Sequence, residues 1–222
     1  RTAFALWRRN ILRADLGALG ITSQQLGSMA QPGAGSVNGC VHQKAELMLG
    51  EKKMTLSRWP NKGPSGVEGR DTWRYLKTNS GGKLWIGLNS SQAANMSRVA
   101  SWVDEPDAWL HGFWSFDWTD SYRKILRASA THTSINVTLQ QEHGGDVQES
   151  LQLAKRGARF YGVNILRELD HPEEYYINAS ERALYFLPPA DSPLWSAGAE
   201  PVLTLATTAM NITAWSGSRC RA

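Results

Sequence analysis

The sequence predicts an all-β protein. Short apolar runs recur along the chain, and several alternate apolar with polar residues. Clusters of Gly, Pro, Asn and Ser separate them, while stripes with helical period are scarce.

Taken in order, "AELMLGEKKMTLSRW" (45–59) holds two short apolar runs around Gly50–Glu51–Lys52–Lys53 and predicts a hairpin with a four-residue loop. Residues 61–82 are rich in turn formers and are expected to be largely loop. "KLWIGL", "TSINVTL" and "ARFYGVNIL" are three strand candidates. "EEYYINASERALYFLPP" predicts a second hairpin, with Tyr175 and Ile177 on one arm, Leu184 and Phe186 on the other, and Asn178 to Arg182 as the turn. Pro188 and Pro189 stop its second arm, because proline cannot donate to a sheet ladder. "PVLTLATTAMNITAW" predicts two further short strands. Two short helices are admitted: "SLQLAKRGARF", ended by Gly157, and "DSYRKIL". No exact internal repeat is visible, although solenoid coils can be too degenerate to see.

A chain of 222 residues, 41% hydrophobic and 20% charged, can bury a sizeable core. No apolar run is long enough to span a membrane as a helix. The net charge of +4 is weak and its basic residues are scattered, which argues against a nucleic-acid partner. Five asparagines begin an Asn-x-Ser/Thr sequon: Asn89, Asn95, Asn136, Asn178 and Asn211. That density points to a secreted or cell-surface glycoprotein. Asn136 is expected to face solvent, since Ile135, Val137 and Leu139 alternate around it, and Asn178 to sit on an exposed turn. Cys40 and Cys220 permit one disulfide or two thiols, and both readings stay open. The chain begins with Arg1, has no signal-peptide core, and stops soon after an alternating apolar stretch. Both ends read as cut, so a segment of a longer protein is expected.

The sequence has no P-loop, dinucleotide fingerprint, nucleophile elbow, or Cys/His cluster with metal-ligand spacing. No cofactor and no metal are expected. The chemistry concentrates in "DAWLHGFWSFDWTD" (107–120). Asp117 and Asp120 are the candidates for catalytic carboxylates, since glycoside hydrolysis uses a carboxyl pair. In an extended segment the two point to opposite faces, so accepting structural hydrogen bonds is the preferred reading. Trp109, His111, Trp114 and Trp118 are candidates for sugar contact, because sugar rings stack on exposed aromatic faces. Each tryptophan would serve equally as packing, burying about 150–250 Å², and packing is the preferred reading for most of them.

The 107–120 stretch resembles a motif of secreted right-handed parallel β-helix proteins, among them glycoside hydrolases whose helix is interrupted by a β-sandwich or barrel-like domain. Three further stretches resemble the same family. "LRADLGALGIT" (12–22) is similar to its lead-in to the inserted domain. "AELMLGEKKMTLSRWPN" (45–61) is similar to its hairpin ending Ala-Arg-Trp-Pro-Asn, with Ser57 in place of that Ala. "NILRELDHPEEYYINASERALYFLPP" (164–189) is similar to its Asn-x-x-x-x-Leu-Asp-x-Pro-Gly-Glu-Trp-Tyr-Leu-Asp pattern, with Glu173 for Gly, Tyr175 for Trp and Asn178 for Asp.

The resemblance implies a lead-in over residues 1–20, a β-sandwich or barrel-like domain over 21–190, and the first coils of a parallel β-helix over 191–222. It implies a polysaccharide or oligosaccharide partner and a glycoside hydrolase whose catalytic carboxylates lie on later coils, beyond this chain. The alternative is a non-catalytic extracellular glycan-binding or surface protein on the same scaffold. A polysaccharide lyase, a third alternative, would call for Lys or Arg as base and often for Ca²⁺ held by clustered acidic oxygens, and no such acidic cluster is seen.

Overall fold

The computed structural model describes residues 4–8, 10–27, 45–63, 74–80, 83–87, 93–117, 120–130, 134–139, 156–190 and 201–205. Among them the chain is mostly β, with one short α-helix and two 3₁₀ turns. The strands are β1 (Phe4–Arg8), β2 (Ile11–Asp15), β3 (Glu46–Leu49), β4 (Lys52–Lys53), β5 (Thr55–Leu56), β6 (Arg58–Trp59), β7 (Arg74–Ser80), β8 (Lys83–Gly87), β9 (Trp109–Gly112), β10 (Ser121–Ala130), β11 (Ser134–Leu139), β12 (Arg159–Val163), β13 (Glu174–Asn178), β14 (Ala183–Leu187) and β15 (Pro201–Thr204). The helix α1 (Ala93–Ala100) runs directly into a 3₁₀ turn, Ser101–Asp104.

Three sheets form. The five-stranded sheet has the order β1-β2-β14-β13-β5, antiparallel except where β5 runs parallel to β13. The seven-stranded sheet has the order β6-β12-β7-β8-β11-β10-β9, and β9 also pairs with β12. The three-stranded sheet is β15-β3-β4, with β15 antiparallel to β3. The stretch from 52 to 59 gives one strand to each sheet in succession, because β4, β5 and β6 belong to the three-, five- and seven-stranded sheets.

The second hairpin forms as expected, with Tyr175 opposite Phe186 and Ile177 opposite Leu184. These four residues share one face and pack with Leu16, Leu26, Leu47 and Met54 into a core between the five- and three-stranded sheets. The opposite face of the hairpin buries Tyr176, Ala183 and Tyr185 with Ile11 and Leu169. A second large core joins Trp102 and Val99 to Leu110, Ile125, Val137, Leu139 and Phe160 from the seven-stranded sheet and to Trp114, which follows β9.

Several expectations are corrected. "DSYRKIL" is strand, not helix, because it lies in β10. Its inward positions begin with the buried polar residues Ser121 and Arg123, and this masks the alternation of a strand. The first hairpin turns at Gly50–Glu51 alone, since Leu49 pairs with Lys52, and Gly50 takes the positive φ of 59° that the tight turn needs. The expected loop over 61–82 contains β7. The helix α1 was not anticipated: among its described side chains Val99 is buried, and Trp102, one turn on in the following 3₁₀ turn, is buried with it. "KLWIGL", "TSINVTL" and "ARFYGVNIL" do form strands. Cys40 and Cys220, the helix expected in "SLQLAKRGARF" up to residue 155 and the second strand expected after residue 205 lie outside the described residues; Arg156 and Gly157 form a turn that leads into β12.

Ser57, which stands where the resembling motif has Ala, has a structural role. Its hydroxyl oxygen accepts from the Ile165 N–H at 3.0 Å, while its carbonyl accepts from the Asn164 N–H at 2.8 Å. The buried start of β6 is thereby fastened to the end of β12. The Trp59–Pro60 peptide bond beside it is cis.

Candidate functional site

The two-residue period of β9 divides the aromatic stretch between opposite faces of its sheet. Leu110 points to the main core with Phe160 and Ile125. Trp109 lies on the other face with Val163, Tyr122 and Tyr161. His111 is on that same outer face, directly opposite Tyr122 on β10 and Tyr161 on β12. The three rings form one row across three strands, with His111 centred 4.5 Å from Tyr122 and 4.8 Å from Tyr161. Direct cross-strand neighbours of this kind are the pairs through which a sheet orders its side chains.

Charge is placed around the row. Asp120 Oδ2 lies 2.5 Å from His111 Nε2. The imidazole is nearly buried, while the carboxyl side chain is 46% exposed. The hydrogen bond from His111 holds the Asp120 carboxyl below the usual range, against a smaller opposing effect of burial. The Arg58 guanidinium sits 3.7 Å from the centre of the Tyr161 ring, and that of Arg159 sits 4.1 Å from Phe113. The face therefore offers the half-buried rings of Tyr122 and Tyr161 and an accessible anionic acceptor, with the buried imidazole between the two rings.

Trp114 faces the other way. It is 1% exposed, stacks on Phe160 with centroids 6.2 Å apart, and donates its indole N–H to Ser121 Oγ at 3.0 Å. Gly112 makes room for it: a Cβ there would meet the indole at 2.8 Å. Trp109 and Trp114 are thus both interior, as the packing reading expects, and Trp118 lies outside the described residues. Tyr122 and Tyr161 were not singled out from the sequence. The only sequence signal for them was alternation within their strands, because their partners lie on other strands.

The two candidate carboxylates have separate partners. Asp117 is 88% exposed and 3.7 Å from Arg159, whereas Asp120 is bound to His111. A glycosidase general acid needs a carboxyl whose pKa is raised, and Asp120 is shifted the opposite way. Carboxyls that burial does raise lie elsewhere. Glu174 is pushed up to about 8 by burial, and accepts from the backbone N–H groups of Arg58, Asp170 and His171 at 3.2–3.3 Å. Glu168, raised by burial, accepts from Trp102 Nε1 at 2.7 Å and lies against Arg98. Glu105, raised by burial, accepts from Leu166 and Arg167 N–H groups. All three tie segments of the interior together.

The sequons fall in different settings. Asn136 alternates with the buried Val137 and Leu139 as expected, but is half-buried. Asn178 is a correction: it is only 6% exposed, because its Oδ1 turns inward to accept from Ser180 Oγ at 2.7 Å and the Glu181 N–H at 3.0 Å, closing the hairpin turn. Asn95 falls on α1, and Asn89 and Asn211 lie outside the described residues. Among the described residues, no helix is long and apolar enough to cross a membrane.

A solved structure described as a glycoside hydrolase matches 90% of this chain with a TM-score of 0.57 at 16% sequence identity. The match covers 30% of that structure's own length. No protein-family model and no curated protein matches the chain. At this identity the likeness shows a fold shared with a glycoside-hydrolase structure.

Proposed function

We propose that this chain is the glycan-contacting, non-catalytic β-rich part of a secreted carbohydrate-active protein. In this reading it precedes a parallel β-helix whose later coils, beyond this chain, carry the carboxylates of a glycoside hydrolase. The Tyr122–His111–Tyr161 row is the observation that carries the sugar-contact role, since the half-buried rings of Tyr122 and Tyr161 and the half-exposed Asp120, held by the buried His111, combine apolar surface with a hydrogen-bond acceptor. The likeness to a protein described as a glycoside hydrolase supports the choice of carbohydrate as ligand class. The density of sequons supports secretion, with the half-buried Asn136 among the candidates to carry a glycan.

Calorimetric titration of the chain with a panel of plant and algal oligosaccharides, run beside a hydrolysis assay, tests the reading. Binding without turnover is expected. Turnover that disappears in Asp117→Asn or Asp120→Asn would overturn the non-catalytic assignment, and absence of binding to every sugar would overturn the glycan role. Paired Asp/Glu on the coils that follow in the full-length sequence distinguish an enzyme from a glycan-binding surface protein.

A further inference from the structure

The row around the buried His111 has an open neighbour on the same face. His111 and Tyr161 point outward, so Phe113 and Arg159, each two residues away in its own segment, point outward as well. Phe113 donates its N–H to the Arg159 carbonyl at 3.0 Å, which continues the pairing of β9 with β12. At the other edge of β12, Arg159 is directly opposite Tyr75 on β7, and directly opposite side chains share a face. Phe113, Arg159 and Tyr75 therefore form a second row, one side-chain step along the strands from the first. The two rows touch where Phe113 meets His111 edge-on, with centroids 5.9 Å apart.

The second row is accessible where the first is not. Tyr75 is 42% exposed, and among the described side chains it is the only aromatic ring that is exposed rather than half-buried or buried. Beside it, the Arg159 guanidinium is held against the Phe113 ring. Asp117, almost fully exposed, faces that guanidinium at 3.7 Å, too long for a direct hydrogen bond. A donor and an acceptor thus stand side by side next to an open ring. Neighbouring hydroxyls of a sugar suit this arrangement, because one accepts from the guanidinium and the other donates to the carboxylate. The C–H face of the same sugar fits the apolar body of Tyr75. The accessible carboxylates of Asp117 and Asp120 outnumber Arg159, and Arg58 is buried over Tyr161, so an anionic sugar meets no excess of positive charge here.

On the premise that this face binds glycan, we infer that Tyr75, Arg159 and Asp117 form a one-sugar binding position for a neutral pyranose. Tyr75 is the platform, and Arg159 with Asp117 clamps two neighbouring hydroxyls. A sugar acid is disfavoured, since its carboxylate would face those of Asp117 and Asp120.

Titration of the chain with neutral cello-, xylo- and manno-oligosaccharides, beside the acidic galacturono-oligosaccharides, tests this. A neutral series is expected to bind more tightly than the acidic one. In that series Tyr75→Ala is expected to weaken binding about tenfold, Tyr75→Trp to retain it, and Asp117→Ala to weaken it about fivefold. Both positions are exposed, so the thermal midpoints are expected to stay at the parental value; a merely structural role would move the midpoint and not the affinity. Parental affinity in Tyr75→Ala, or tighter binding of the acidic series, overturns this inference and leaves the glycan role standing. No binding in any series overturns both.

Discussion

Asn164 pairs with Ile177 as one strand pairs with another. Its side-chain Nδ2 donates to the Ile177 carbonyl at 3.1 Å, and the Ile177 N–H donates to its Oδ1 at 3.0 Å. The same Nδ2 donates to the Asp107 carbonyl at 3.1 Å. One buried amide therefore ties β13 of the five-stranded sheet to the entry of β9 in the seven-stranded one. Asn164 holds a φ of 53°, which asparagine tolerates better than most residues.

Asn164→Gly suits that φ and removes only the amide. It leaves the N–H and carbonyl of Ile177 buried without this partner, and a buried unsatisfied group costs about 1–3 kcal/mol. A loss of about 2–4 kcal/mol is expected in urea unfolding. Asn164→Asp is expected to be no better, because a carboxylate would face two carbonyl oxygens. A loss under about 0.5 kcal/mol for both variants, the size usual for neutral surface changes, would show that the bridge is incidental.

Glu174 predicts a pH dependence. Its folded carboxyl titrates near 8 against an ordinary 4.5, so folding favours the protonated form. The stability it contributes is complete below about 4.5, falls as pH rises towards 8, and is constant above. Glu105 and Glu168, also raised by burial, act in the same sense. Glu174→Gln is neutral at every pH and loses one acceptor, so it is expected to start less stable in acid and to decline less between those limits. Unfolding curves across that range measure the difference in slope, and parallel profiles would count against a protonated Glu174.

How much of this was legible in the sequence depends on where each contact comes from. The hairpin of β13 and β14 could be read because its pattern is local: a turn between two alternating arms. β10 could not, because its inward Ser121 and Arg123 are polar and are satisfied by Trp114 and by each other, partners that appear only once the loop closes. The aromatic stretch showed its bulk and the alternatives of packing or sugar contact. The choice between them rests on which strand face each ring takes, and that depends on pairing with β10 and β12. Asn164 and Glu174 were visible as positions in a resembling motif, but their long-range partners were not.

The His111–Asp120 pair predicts a shift that NMR can follow. The hydrogen bond from His111 is the main cause of the lowered Asp120 carboxyl. A folded carboxyl below its unfolded value stabilises the fold above that unfolded value, and the contribution is lost as pH falls through the folded one. His111→Leu keeps the bulk between Tyr122 and Tyr161 and removes the donor. The carboxyl carbon of Asp120 is expected to titrate at higher pH in the variant than in the parent. An unchanged midpoint would mean that the pair does not persist in solution.

Gly162 predicts a packing limit. A Cβ at this position would lie 2.8 Å from Ile165 Cδ1 and 3.0 Å from the Trp102 ring. Trp102 is fully buried and fixed through its N–H to Glu168, so it has little room to give. Gly162→Ala is expected to cost about 1–3 kcal/mol through overpacking, read as a lower midpoint in thermal unfolding. A midpoint at or above that of the parent would show that the Trp102 site is looser than its contacts suggest.

Trp114 separates packing from sugar contact. Its ring is buried against Phe160 and over Gly112, and its N–H is committed to Ser121 Oγ, which also accepts from Arg123 Nε at 3.0 Å. Trp114→Ala removes that burial and leaves a cavity, a change that costs about 3–5 kcal/mol. Against a usual total of about 5–15 kcal/mol the loss is severe, and insoluble or loosely packed protein is expected with or without sugar. Trp114→Phe retains most of the stacking and gives up the hydrogen bond, so it is expected to fold, to unfold at a lower temperature, and to bind oligosaccharide with parental affinity. The Tyr122→Ala change on the opposite face is expected to do the reverse, leaving the thermal midpoint nearer the parent and weakening the sugar. A folded, stable Trp114→Ala chain that had lost only its glycan affinity would put the binding surface on the inner face and remove the case for the Tyr122–His111–Tyr161 row.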